Sequence, residues 1–227
     1  MSEAGPRIAL IHALEESVMP IRAAFTEFWP EATTFDLLES SLAPDRALAG
    51  SCDESMVERF RTLSRYAAGT SGVAGSTQAI LFTCSAFGPA IDAVKADQKI
   101  PVLKPNEAAF AEALSLGKRI GICVTFEPSL TSLVSELEQM AREMRTPIKI
   151  KPILVDGALA ALKAGDGEEH DKLAVKACAN LTDVDVLILG QFSLARAAIP
   201  LRQKSTIPIL TTPHSAVRAL RARLSTN

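Results

Sequence analysis

The chain has 227 residues, enough for one large domain or two small α/β domains, and its 48% hydrophobic and 22% charged residues are ordinary globular values that exclude disorder and low complexity. Its 24 Lys and Arg against 26 Asp and Glu leave a net charge of −2 and a pI near 6.0, so no overall positive field draws it to nucleic acid. No run approaches the ~20 apolar residues of a membrane helix. The opening MSEAGPRIALIHALEE has neither a basic leader nor an unbroken apolar stretch, so the expectation is a cytoplasmic protein with no nucleic-acid or membrane partner.

In chain order, RIALIHAL (7–14) is an apolar run of strand length, and Val18, Ile21, Phe25 and Phe28 give residues 17–29 the apolar spacing of a helix. A second strand is predicted over Thr33–Leu38. Asp53 stands where it can cap a helix over Glu54–Ala68 that ends near Gly69. Gly69, Gly72 and Gly75 fit neither GxGxxG nor a P-loop and read as a flexible loop. Ala79–Phe82 is a buried-type strand, followed by a helix over Pro89–Ala96 whose proline stands where its missing N–H costs least. RIGICVTFEP (119–128) then resembles RIALIHALEE (7–16) at an offset of 112, both as strand-to-turn segments. Leu130, Leu133, Val134, Leu137 and Met140 mark one helix face, and Ile148–Val155 marks a strand. GDGEEHDK (165–172) reads as a polar loop passing into a helix through Ala179, before a strand Val184–Leu189 that delivers Gln191.

The strongest signal is a repeat. ILFTCSAFGPAIDAVKADQKIPVL (80–103) recurs as LILGQFSLARAAIPLRQKSTIPIL (187–210), with Cys84 on Gln191 and Pro101 on Pro208 at one offset of 107. LKPNEAAFAEAL (103–114) likewise shifts onto LTTPHSAVRAL (210–220), placing Glu107 opposite His214. Strands alternating with helices in two related halves predict two pseudo-symmetric Rossmann-like α/β domains, each a mainly parallel sheet flanked by helices. Ligands of such sheets bind beyond the carboxyl ends of the strands, so the expected site lies in the cleft between the domains, where both Cys84 and Gln191 should stand. The predicted boundaries are 1–103 plus 211–227 for the first domain, which takes the C-terminal helix, and 104–210 for the second.

The four cysteines are scattered without a CxxC pair, which argues against zinc and against a disulfide framework. Cys52, Cys123 and Cys178 read as structural. Cys84 lies where a buried strand ends and a helix begins, a place where backbone N–H groups favour an anion and lower a thiol pKa from its ordinary ~8.5. That environment suits an acid or base and predicts the most reactive of the four thiols towards iodoacetamide; the alternative is a small buried hydrophobe. Thr83 and Ser85 flank it with hydroxyls able to hold a carboxylate or an enediolate-like intermediate, or simply to form the turn. Gln191 and Ser193 offer hydrogen bonds on the opposite face or are solvated loop residues. His12 and His214 are candidates for a second base, although the commoner state of such histidines is a hydrogen-bonded structural one, and no HxxxH or HExxH spacing supports a metal.

In order, the segments IALIHALEESVMPI, FTCSAFGPA, GICVTFEPSL, LILGQFS and IPILTTPHSAVRAL resemble the aspartate/glutamate/hydantoin racemase superfamily, with its relatives maleate isomerase and arylmalonate decarboxylase, over nearly the whole chain. The resemblance implies two domains enclosing a small carboxylic-acid substrate, no cofactor, a homo-oligomer, and a cysteine on each face of the carbon that loses its proton. It carries the first cysteine onto Cys84, the second onto Gln191 after Gly190, and the carboxylate-binding turn onto Thr125. Glutamine has no side-chain base near neutral pH, so the implied chemistry is one-sided. The expectation is a racemase- or isomerase-type enzyme with a single catalytic cysteine. The alternatives are a decarboxylase of a malonate-like acid and a carboxylate-binding protein without turnover. Arylmalonate decarboxylase is also a one-cysteine relative, but it keeps the cysteine of the second half.

Overall fold

The computed structural model describes residues 5–225; the reading of the first four residues, and the last two of the C-terminal segment, lie outside the described residues. The chain divides into two compact units. One comprises the residues up to Pro105 together with those from Ala216 onward, and the other is Asn106–Ser215. No helix among the described residues is long and apolar enough to cross a membrane.

In the first unit β1 (Arg7–His12) leads through a 3-10 turn into α1 (Val18–Phe28), followed by β2 (Thr33–Leu38), α2 (Leu42–Ala49) and α3 (Glu54–Ala68). Then come β3 (Ser71–Gly72), β4 (Gly75–Phe82), a 3-10 turn over Ser85–Phe87, α4 (Gly88–Asp97) and β5 (Val102–Leu103). Strands β2, β1, β4 and β5 pair in that order, all parallel. The unbroken burial of Ile8–His12 and Ala79–Phe82 follows from cover on both faces of the sheet. On one face Ala9, Ile11, Ile80 and Phe82 pack with Phe60, Phe87, Ile91 and Val94; the Phe60 ring lies 5.1 Å from Phe82 and 4.9 Å from Phe87. The Asp53 cap forms as expected, its Oδ1 accepting the Met56 N–H at 2.8 Å.

The glycine-rich stretch departs from the expected flexible loop. Ser71 and Gly72 pair antiparallel with Ser76 and Gly75, making a tight hairpin that starts β4 four residues earlier than predicted. Its corner needs left-handed backbone, supplied at Ala74 (φ 69°) and Gly75 (φ 82°).

The second unit begins with α5 (Glu107–Leu116), β6 (Arg119–Val124), α6 (Glu127–Glu143) and β7 (Lys149–Leu154). It continues with α7 (Ala158–Lys163), α8 (Gly167–Cys178), β8 (Val186–Leu189), a 3-10 turn over Phe192–Ala197, α9 (Ala198–Arg202) and β9 (Ile209–Thr211). The last helix, α10 (Thr212–Ser225), passes into the first unit from Ala216. Strands β7, β6, β8 and β9 repeat the first unit's order in parallel. The offset is carried into the ladders: Ile80 pairs with Val102 as Leu187 pairs with Ile209. The Ile80 N–H donates to Pro101 O and the Leu187 N–H to Pro208 O, both at 2.9 Å. Proline fits there because each position supplies only a carbonyl.

One face of this sheet carries Ile120, Ile122, Val124 and Ile188 against Leu133 and Leu137 of α6 and Phe110 of α5. The other buries Cys123, Leu187 and Leu189 against Ala174, Val175 and Cys178 of α8. The polar stretch 165–172 is not chiefly a loop. Asp166 Oδ1 accepts the Glu169 N–H at 2.9 Å and starts α8 at Gly167, which turns His170 into the interior.

Candidate active site

The first group of candidate residues gathers at the carboxyl end of the first sheet. Past the end of β4, the Thr83 N–H still donates to Ile11 O at 3.0 Å, so Thr83 stays in line with the strand. Cys84 is extended (φ −119°, ψ 124°) and precedes the 3-10 turn of Ser85–Phe87. Its half-buried thiol receives the Ala86 N–H. Burial nevertheless dominates and, with smaller contributions from Cys52 and Glu16, pushes the thiol up to about 11 against the pull of that one N–H. This corrects the expected depression of the thiol pKa. A single 3-10 turn aims too few donors at the sulfur to offset its desolvation, so at neutral pH Cys84 is a protonated thiol.

Next to it runs a polar chain that no motif announced. Arg22 Nε and Nη2 donate to Asp36 Oδ2 at 3.0 and 2.6 Å, Asp36 Oδ1 lies 2.9 Å from His12 Nε2, and His12 Nδ1 lies 2.8 Å from Thr83 Oγ1. His12, 0% exposed, is held on both ring nitrogens. It is the hydrogen-bonded structural histidine of the two readings, not a base open to a ligand. Burial, the largest influence, lowers its pKa; Asp36 opposes the shift and Arg22 adds to it. In the neutral ring the carboxylate of Asp36 fixes the proton on Nε2, so Nδ1 is an acceptor and the Thr83 hydroxyl donates to it. The Thr83 oxygen can then only accept from a third group, which removes its side chain from the candidate carboxylate donors. Asp36 was findable as a carboxylate inside a strand, since such a charge requires a partner. The partner depended on register: Leu10 opposes Asp36 and His12 opposes Leu38, which sets His12 and Asp36 diagonally on one face. Ser85, next to Cys84 in the chain, is buried in the 3-10 turn.

The second group lies at the carboxyl end of the second sheet. Gln191 repeats the backbone of Cys84 (φ −131°, ψ 146°) before its own 3-10 turn, as the offset requires. The Gly190 N–H donates to Cys123 O at 2.8 Å, drawing the end of β8 against β6. A side chain there would be tight, because a Cβ at Gly190 would lie 3.0 Å from Leu133 Cδ1 and 3.2 Å from Cys123 O. Thr125 follows β6, and both its donors meet one atom: its N–H and its hydroxyl donate to Gln191 Oε1 at 2.6 and 2.9 Å. Ser193 is half-buried in the turn, and His214 is half-buried in the first turn of α10. The structure thus assembles His12, Thr83, Cys84 and Ser85 in one unit, and Thr125, Gln191 and Ser193 in the other. Of the remaining cysteines, Cys123 and Cys178 are buried and hydrogen-bonded to each other, which raises the Cys123 pKa, while the Cys52 thiol donates to Ala86 O at 3.8 Å.

The sequence profile described as Asp/Glu/Hydantoin racemase matches residues 20–220. A comparison with curated protein sequences finds no match. Among solved structures the fold is similar to that of allantoin racemase from Pseudomonas fluorescens, with a TM-score of 0.72 and 16% identity, covering 97% of this chain and 91% of that one. It is similar to glutamate racemase from Bacillus anthracis, with a TM-score of 0.71 and 13% identity over 98% of this chain and 83% of that one. A liganded arylmalonate decarboxylase mutant, with one glycine changed to cysteine and one cysteine to serine, gives 0.61 and 18% over 96% of this chain and 92% of that one. At these identities the likeness is one of fold.

Proposed function

Because the chain belongs to the Asp/Glu/hydantoin racemase family, we propose that it is a cofactor-independent isomerase-type enzyme that moves a proton at the carbon beside a carboxylate, with Cys84 as its single proton-transferring group. The observation that carries this reading is the unequal pair of turns. Cys84 and Gln191 hold the same backbone conformation at equivalent strand ends, yet only one has a titratable side chain. A thiolate formed at Cys84 takes the proton from one face of the carbon and leaves an enediolate; the thiol returns it, or a solvent deuteron, to that face, at the same carbon as exchange with retention or at a conjugated carbon as a net isomerisation.

The protonated resting state of Cys84 favours a second reading, decarboxylation of a malonate-like acid. There the C–C bond to one carboxylate breaks, its electron pair stays on the substrate carbon as CO2 leaves, and the Cys84 proton quenches the carbanion. Water then reprotonates the thiolate. One proton delivered to one face suffices, and the donor stands ready.

Both readings are tested by incubating the protein in D2O with amino acids, hydantoins and aryl- or alkylmalonates, following α-proton loss by NMR, CO2 release and chiral chromatography. The expected result is deuterium entering one face only, abolished by Cys84→Ser with ligand binding retained. Equal entry on both faces overturns the one-sided mechanism. Binding of these acids with neither exchange nor CO2 release identifies a carboxylate-binding protein.

A further inference from the structure

Gln191 stands where a second proton-transferring group is absent, and its amide orientation follows from chemistry. A backbone N–H only donates, so the atom 2.6 Å from Thr125 N must be the acceptor, Oε1. The Thr125 hydroxyl, which has a proton to give, reaches the same oxygen at 2.9 Å. Two donors on one acceptor fix the amide plane, and the other amide terminus, Nε2, makes no hydrogen bond to any described residue. This half-buried amide, with two unused N–H groups, stands beyond the carboxyl end of a parallel strand, the end at which ligands of such sheets bind. The donors of Thr125, meanwhile, are consumed within the protein.

We propose that Gln191 is the anion-binding donor of the second unit, presenting Nε2 to a carboxylate or enediolate oxygen, and that Thr125 is a positioning residue that locks the amide rather than a ligand-binding residue. This rests on the reading that the chain binds carboxylates. It deepens that reading by giving the second turn an anion-holding role of its own. The donated hydrogen bonds would strengthen as negative charge moves from carbon to oxygen.

Gln191→Met separates this assignment from its rival. The substitution removes Nε2 and also releases the Thr125 N–H and hydroxyl. If Thr125 were the ligand donor and Gln191 only an obstruction, the variant would bind anions more tightly. We expect the reverse in calorimetric titrations of malonate and succinate at pH 7.5: a roughly tenfold or greater loss of affinity in Gln191→Met. Thr125→Val, which loosens the anchor while keeping its N–H, should lose roughly threefold in the wild-type background and nothing further in Gln191→Met. Gln191→Glu retains both Thr125 bonds and serves if the methionine variant does not fold; its outward oxygen should weaken dianion binding by at least as much. Tighter or unchanged binding by either Gln191 variant overturns the assignment while leaving the proposed function standing. Failure of the wild type to bind malonate, succinate or any of the amino acids and malonates of the exchange assay overturns both.

Discussion

The thiol of Cys84 offers the sharpest numerical test. Alkylation by iodoacetamide proceeds through the thiolate, so its rate reports the ionised fraction. With the thiol at about 11, ten-to-the-power arithmetic leaves roughly one molecule in 3,000 ionised at pH 7.5, against roughly one in 10 for an ordinary thiol near 8.5. Peptide-resolved carbamidomethylation, with an unstructured cysteine peptide of ordinary thiol pKa as reference, should therefore find Cys84 about 300-fold slower at pH 7.5, before any further loss from its half-buried position. The logarithm of the rate should climb by one for each pH unit from 7 to 10 without levelling. A plateau below pH 9 would refute the argument, because it would mean that the Ala86 N–H and neighbouring dipoles outweigh desolvation.

Two further predictions concern the frame around the site. His12 titrates below the ordinary ~6.5 when folded, so the unfolded chain takes up its proton first; stability is whole above that value and falls as the pH drops through it towards the folded pKa, by at most about 1.4 kcal/mol per pH unit. Urea unfolding at pH 7.5, 6.5 and 5.5 should show a shallower decline for His12→Gln than for wild type, and parallel declines would remove the buried neutral histidine from the account. Gly190→Ala should cost about 1–3 kcal/mol in the same assay, since its methyl group meets backbone at Cys123 O as well as Leu133, and a loss within about 0.5 kcal/mol would show that the strand end yields freely.

Much of the architecture was written in spacing. The 107-residue offset marked 80–103 and 187–210 as equivalent, and the structure gives β4–β5 and β8–β9 the same register, with Pro101 and Pro208 as equivalent acceptors. Asp53 announced its helix because a cap is a local event. The features that escaped depend on position in space. The 71–76 hairpin looked like a loop because three glycines signal turns as readily as flexibility, and Asp166 hid a helix start inside a run of charges. The direction of the Cys84 shift depends on how much protein surrounds the sulfur, a quantity no local motif carries. The link from Arg22 to Thr83 joins four segments whose meeting follows only from strand order. The Gln191 amide could be read as a missing base from the alignment of the two halves, but its locked orientation needed the Thr125 distances.

The passage of α10 into the first unit also sets a schedule for folding. Arg221 Nη1 donates to Phe28 O at 2.6 Å, and the Arg218 guanidinium lies 5.3 Å from the Phe28 ring centroid, so the C-terminal helix clamps a helix laid down near the start of the chain. The second unit is one unbroken stretch and has all its strands and helices once Ser215 has been made. The first must wait for residues added after that, with its α1 surface uncovered throughout synthesis of the second. The unit that begins first is therefore the one completed last, and a truncation just before Ala216 should compromise Cys84's half of the molecule while sparing the half that carries Gln191.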